Sequence, residues 1–201
     1  MLQANALAGE RAGQRLFSDI SFQLHSGDLL HVSGSNGSGK TTLLRMLCGL
    51  TLPSAGSIFW QQNTIDNHRD EFNAELLYIG HRHGMHSDLN ALENLQLSVQ
   101  QPANRARIFA ALENVGLGQH LEKPLRLLSQ GQQRRVALAR LLLESRALWI
   151  LDEPLAALDV DAVEWFSQCL ARHLKEGGMA VVTTHQTASF ISHVSINVEL
   201  G

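Results

Sequence analysis

The stretch Gly34-Ser35-Asn36-Gly37-Ser38-Gly39-Lys40-Thr41 decides the fold. It reads Gly, four residues, then Gly-Lys-Thr. Its glycines permit turns that aim successive backbone N–H groups inward as an anion nest. Lys40 adds a mobile positive charge, and Thr41 a hydroxyl suited to a divalent cation. Thr42 follows directly and joins the candidate ligands. The flanks fit the same reading. Leu29-Leu30-His31-Val32-Ser33 is a short apolar run that predicts a buried strand. Leu43, Leu44, Leu47 and Leu50 fall on one helical face, so a helix leaves the loop with its positive dipole end at the anion site.

Working outward, Ile20–Leu24 alternates as a half-buried strand, and Ser57–Trp60 predicts another, with Pro53 and Gly56 ending the helix between. From about Ser87 to Ser145 the pattern is helical. Asn90 and Glu93 have capping-box spacing, and Arg105–Val115 stops at Gly116. Strand–helix alternation then returns: Leu148–Leu151, a helix face of Val163, Phe166, Leu170 and Leu174, Gly177-Gly178, and the strand Met179–Thr183. This order predicts an α/β fold, a P-loop NTPase with a mainly parallel core sheet and an inserted α-helical subdomain. The expected division is a core of about 1–86 and 146–201 around a helical subdomain of about 87–145.

Leu148-Trp149-Ile150-Leu151-Asp152-Glu153 is an apolar run ending in two carboxylates. A parallel strand buried on both faces needs such a run. Asp152 is then placed to hold Mg²⁺ beside the phosphate loop, and Glu153 to polarise an attacking water.

Composition bounds the rest. At 201 residues the chain suits one domain. Its 16 Lys and Arg against 19 Asp and Glu give a net charge of −3, which argues against nucleic acid as a partner. Cys48 and Cys169 sit among apolar helix-like residues and are expected to be reduced and buried. No basic region followed by an apolar leader opens the chain, and no apolar run reaches the ~18 residues of a membrane span, so an intracellular location is expected.

Leu128-Ser129-Gln130-Gly131-Gln132 opens another helix shortly before Asp152-Glu153. Here the sequence resembles the ATP-binding cassette (ABC) ATPases, whose signature is Leu-Ser-Gly-Gly-Gln. Gln130 replaces a glycine; Ser129, Gly131 and Gln132 keep the pattern. The resemblance runs from Phe17 to His185 in family order. It implies that ATP and Mg²⁺ bind at Gly34–Thr42, and that Ser129 and Gly131 meet the γ-phosphate held by a second copy in a nucleotide-sandwich dimer. Leu158-Asp159 matches the D-loop, and Thr184-His185 the switch histidine. By the same resemblance, His185 orients Glu153 and water.

Two further positions depart from the family. A metal-reaching glutamine is expected before the helical insert; here His81 stands, with Arg82 as a weaker candidate. An adenine-stacking aromatic is expected upstream of the loop; Arg11, whose planar guanidinium can stack, stands there instead. His81, His83, Met85 and His86 cluster in sequence, but their spacing matches no specific metal or haem site.

Tyr78-Ile79-Gly80-His81, Ala91-Leu92-Glu93-Asn94-Leu95, Gly131–Arg140, Trp149–Pro154 and Thr183-Thr184-His185-Gln186 together resemble the ATP-binding subunits of bacterial cytochrome c maturation systems, the haem-exporter type. That resemblance implies integral-membrane transporter subunits, a periplasmic haem chaperone reached indirectly, and a peripheral place on the cytoplasmic face of the inner membrane. The motifs also fit an exporter ATPase with another substrate, or a nucleotide-switched interaction module. DNA-repair and translation relatives need a coiled-coil insert or tandem cassettes, which length and charge disfavour.

Overall fold

Residues 1–81, 84–99, 104–185 and 193–201 are described by the computed structural model. The expected strand before the phosphate loop is β3 (Leu29–Gly34). It lies inside a five-stranded parallel sheet with β6 (Leu76–Ile79), β7 (Leu148–Asp152), β8 (Met179–Thr183) and β9 (Ile196–Leu200), in the order β6-β7-β8-β3-β9. Side chains on these strands alternate between two cores, as a two-residue period requires. Leu148, Ile150, Met179 and Val181 face one core; Trp149, Leu151, Ala180 and Val182 face the other.

The first core is closed by α1 (Lys40–Leu47) and by a second sheet, which contains the expected strands Ile20–Leu24 and Ser57–Trp60. This sheet is antiparallel, in the order β2-β1-β4-β5, from β1 (Leu2–Arg11), β2 (Gln14–Leu24), β4 (Ala55–Trp60) and β5 (Asn63–Thr64). The parallel-sheet expectation is therefore extended: the core is two sheets, of opposite character. β1 escapes a reading by propensity because LQANALAGER holds no β-branched or aromatic residue. Its pairing on both edges, with β2 and β4, supplies what local preference lacks. The short helix α2 (Arg69–Glu75) leads into β6.

One helix boundary differs from the expectation. α1 stops at Leu47, not near Pro53, because Gly49 takes φ +68°. Gly49 N–H donates to Met46 O and Leu50 N–H to Arg45 O, closing the last carbonyls of the helix. Leu50 thereby leaves the buried face and is 57% exposed.

The second core is covered by α7 (Val160–Lys175). Between β6 and β7 lie α3 (Ala91–Ser98), α4 (Arg105–Asn114), a 3-10 turn (Leu125–Leu127), α5 (Gln130–Leu138) and α6 (Arg140–Leu143). They bury a third core of their own, including Leu95, Ile108, Leu112 and Val136. The Asn90–Glu93 capping box is present in full. Both cysteines are free and buried. Among the described residues, no helix is long and apolar enough to cross a membrane.

Candidate nucleotide site

The parallel register places the chemistry. β7 and β8 pair Asp152 with Thr183, and β3 runs beside β8, so the phosphate loop, Asp152 and Thr183 emerge at one sheet end. That end opens into a cleft of about 470 Å³. It is lined by Asn36, Gly37, Gly39, Lys40, Thr41 and Thr42 of the phosphate loop and α1, by Asp152, Glu153 and His185, and by Arg11, Leu16 and His81.

Lys40 is buried and its Nζ donates to Gly34 O (2.8 Å) and Ser35 O (3.0 Å), so the ammonium is held within the loop. Thr41 Oγ1 donates to Asp152 Oδ2 at 2.8 Å. Two hard oxygen donors thus converge, the donor chemistry that Mg²⁺ takes. Ser38 Oγ is buried without a hydrogen-bond partner, an acceptor or donor left for a ligand in the nest.

Glu153 takes φ +51°, a left-handed conformation that is strained for a non-glycine residue and occurs at sites where geometry is imposed. Its amide is fixed by Thr183 Oγ1 at 2.9 Å, and the same Thr183 hydroxyl donates to Asp152 Oδ1 at 2.9 Å. Glu153 Oε1 is buried, lies 3.3 Å from His185 Nε2 and has no aligned hydrogen bond. The half-exposed imidazole and the carboxylate face the cleft together. A carboxylate with free acceptor capacity, next to a histidine, is equipped to orient a water.

Sequence reasoning misses Thr183. The available signal is a hydroxyl residue ending a fully buried strand. It misses Arg134 as well, although that residue is only 2% exposed. Arg11 lines the cleft. His81 lines this cleft and also a second one of about 610 Å³ with Met85, Gln130 and Arg134. Arg82, His83 and Gln186 lie outside the described residues. Among the described residues, no group of three or more His, Cys, Asp or Glu could hold a metal.

The signature residues do not join their own cleft. Ser129 caps α5: its Oγ accepts from Gln132 N (3.2 Å), and Gln132 Oε1 accepts from Ser129 N (2.9 Å). Gly131 packs so closely on the next loop that a Cβ there would lie 2.4 Å from Ala157 O. Asp159 caps α7 through Ala162 N and pairs with Arg135.

Residues 17–156 match the ABC transporter family. The chain belongs to that family. A Pseudomonas aeruginosa protein named cytochrome c biogenesis ATP-binding export protein CcmA is 47% identical over 92% of this chain and 93% of its own length. An ABC transporter ATP-binding protein from Pyrococcus furiosus has the same fold, with TM-score 0.83 at 25% identity, covering 99% of this chain and 96% of that one. A further ATP-binding cassette, solved as a dimer in a post-hydrolysis state with ADP and Pi, gives TM-score 0.79 at 23% identity over 92% and 88%. The fold is that of the ABC ATPases.

Proposed function

We propose that this ABC subunit hydrolyses ATP within a membrane complex for cytochrome c maturation, of the haem-export type. The observation that carries the catalytic reading is the cleft itself, which gathers Lys40, Thr41, Asp152, Glu153 and His185 from sequence positions far apart. The maturation role rests on the likeness to the Pseudomonas protein across almost the whole chain.

Each residue has a task that its position supports. Gly34–Thr42 wrap the phosphates with backbone N–H groups, and Lys40 turns from its loop carbonyls to the β- and γ-phosphates. Thr41 and Asp152 would hold Mg²⁺, with His81, which lines the same cleft, as a further candidate. That ion would supply positive charge to offset the charge of the phosphates. Glu153 draws a proton from the attacking water while His185 orients both carboxylate and γ-phosphate. Arg11 stacks on the base. Catalysis is positioning plus fixed charge.

Ser129, Gly131 and Gln132 stand away from their own phosphate loop, and so serve the nucleotide of a second copy in a sandwich dimer. The division at about 87 and 145 separates a nucleotide core from a subdomain that carries this signature. The second cleft, at His81, opens between the two and suits coupling to integral-membrane subunits at the cytoplasmic face of the inner membrane. A periplasmic haem chaperone is the downstream recipient of the work.

Two measurements test the proposal. Phosphate release by the assembled membrane complex tests the ATPase role. Deleting the gene and assaying covalent haem in c-type cytochromes tests the pathway: their loss is expected, and normal maturation would reject it.

A further inference from the structure

Arg134 is the most deeply buried cation among the described residues, 2% exposed, and it stands one turn into the signature helix α5. Its guanidinium donates to three main-chain carbonyls on two other segments. Nη1 reaches Gly80 O at 2.9 Å, Nη2 reaches Asp152 O at 2.6 Å, and Nε reaches Pro154 O at 3.2 Å. Gly80 immediately precedes His81; Asp152 and Pro154 flank Glu153 on both sides. Burial pushes the guanidinium down to about 10, still a cation at neutral pH, and the Asp152 and Glu153 carboxylates oppose that shift.

We propose that Arg134 is a positioning residue that fixes the catalytic turn Asp152–Pro154 and the His81 segment to the signature helix. It rests on the reading above, in which Glu153 activates water and Ser129 serves a second copy's nucleotide. A guanidinium is a rigid planar fork, so three bonds from it set the relative angle of three segments. Glu153 needs such an external clamp, because its left-handed backbone is not self-supporting. The contact of Gly131 with Ala157 O holds the far end of the same turn against α5. A shift of α5, when its N-terminus meets the partner's nucleotide, is then carried into both carbonyls beside Glu153. The phosphate-gripping residues Lys40 and Thr41 lie on α1, and Arg134's hydrogen bonds given above reach none of them. Loss of Arg134 is therefore expected to lower turnover more than nucleotide grip, because these bonds hold the main chain of Asp152 and not its carboxylate.

The test uses the assembled membrane complex with Arg134→Gln and Arg134→Lys, and steady-state ATPase kinetics. For Arg134→Gln, kcat is expected to fall about tenfold or more while KM for ATP stays within about twofold. Arg134→Lys, keeping the charge but not the fork, is expected to recover part of kcat. An unchanged kcat, or a loss confined to KM, overturns the proposal. So does loss of the cooperative thermal melt in both variants, which would make Arg134 a core-packing residue only. Hydrolysis by the wild-type complex, and its loss in Glu153→Gln, checks the underlying reading separately.

Discussion

Thr41 Oγ1 and Asp152 Oδ2 are 2.8 Å apart although 111 residues separate them in sequence. The hydroxyl is on the first turn of α1 and the carboxylate ends β7, so the pair joins the phosphate loop to the end of that strand. Thr183 holds the other carboxylate oxygen, leaving Asp152 oriented by hydroxyls on both sides. Asp152→Asn keeps the shape and an acceptor but removes the charge. The fold is expected to survive and ATP turnover to drop by about 10²-fold or more, as for loss of a fixed charge-stabilising group. A Mg²⁺ titration of phosphate release should move to higher concentration. An unmoved titration would remove Asp152 from the metal site.

Glu153→Gln isolates the proton-accepting role. The substituted amide has nearly the same volume as the carboxylate, so the turn held by Thr183 and the phosphate grip of Lys40 are untouched. ATP binding is expected to persist while turnover falls by about 10²–10⁴-fold. Filter binding and phosphate release on the same preparation of the complex would show the split. Near wild-type hydrolysis would reject the role given to Glu153.

How far the sequence can be read follows from where each interaction is encoded. The phosphate loop, the Asp152-Glu153 pair and the cap at Asn90 are local patterns, and the structure forms each one. β1 cannot be read this way, because its strand state comes from its pairing with β2 and with the more distant β4, and from no preference of its own. Thr183 and Arg134 are similar cases. A threonine in a strand and an arginine in a helix carry no message until the β7–β8 register and the α5–β7 packing bring them to Asp152. The difference at Leu50 has another cause: helical periodicity continues past Gly49, and only the backbone at Gly49 shows that the helix has ended.

Gly131→Ala opposes two effects. Alanine is the better helix former by about 0.8–1.0 kcal/mol. Against that, its Cβ would sit 2.4 Å from Ala157 O, closer than side chains approach a backbone atom, and Ala157 is itself at φ +61°. The atom in the way belongs to the backbone, not to a flexible side chain that could yield, so the clash wins. A net destabilisation of about 1–3 kcal/mol is expected, the usual scale of overpacking. Urea unfolding of the isolated chain would read it. A stabilised variant would mean that α5 and the Ala157 loop separate readily.

His173 should make stability depend on pH. Its ring stacks on Trp149 at 3.7 Å between centroids and 2° between planes, and Nε2–H donates to Met179 O at 3.1 Å. Gly178 leaves room for the ring, since a Cβ there would lie 2.1–2.4 Å from its atoms. Burial is the leading cause and pushes the imidazole below its ordinary 6.5; the Met179 carbonyl and Glu176 pull weakly the other way. The neutral form is thus the one that folding favours. Above the ordinary value both states are neutral and stability is full. As pH falls through it, the unfolded chain takes up a proton before the folded one, and stability drops until the folded ring also protonates. His173→Phe retains a stacking ring without titrating, though it gives up the Met179 bond. Urea midpoints at about pH 7.5 and about pH 5.5 should fall more steeply for the wild type than for this variant. The carboxylates contribute alike to both proteins, so parallel pH dependences would rule out His173 as the titrating group.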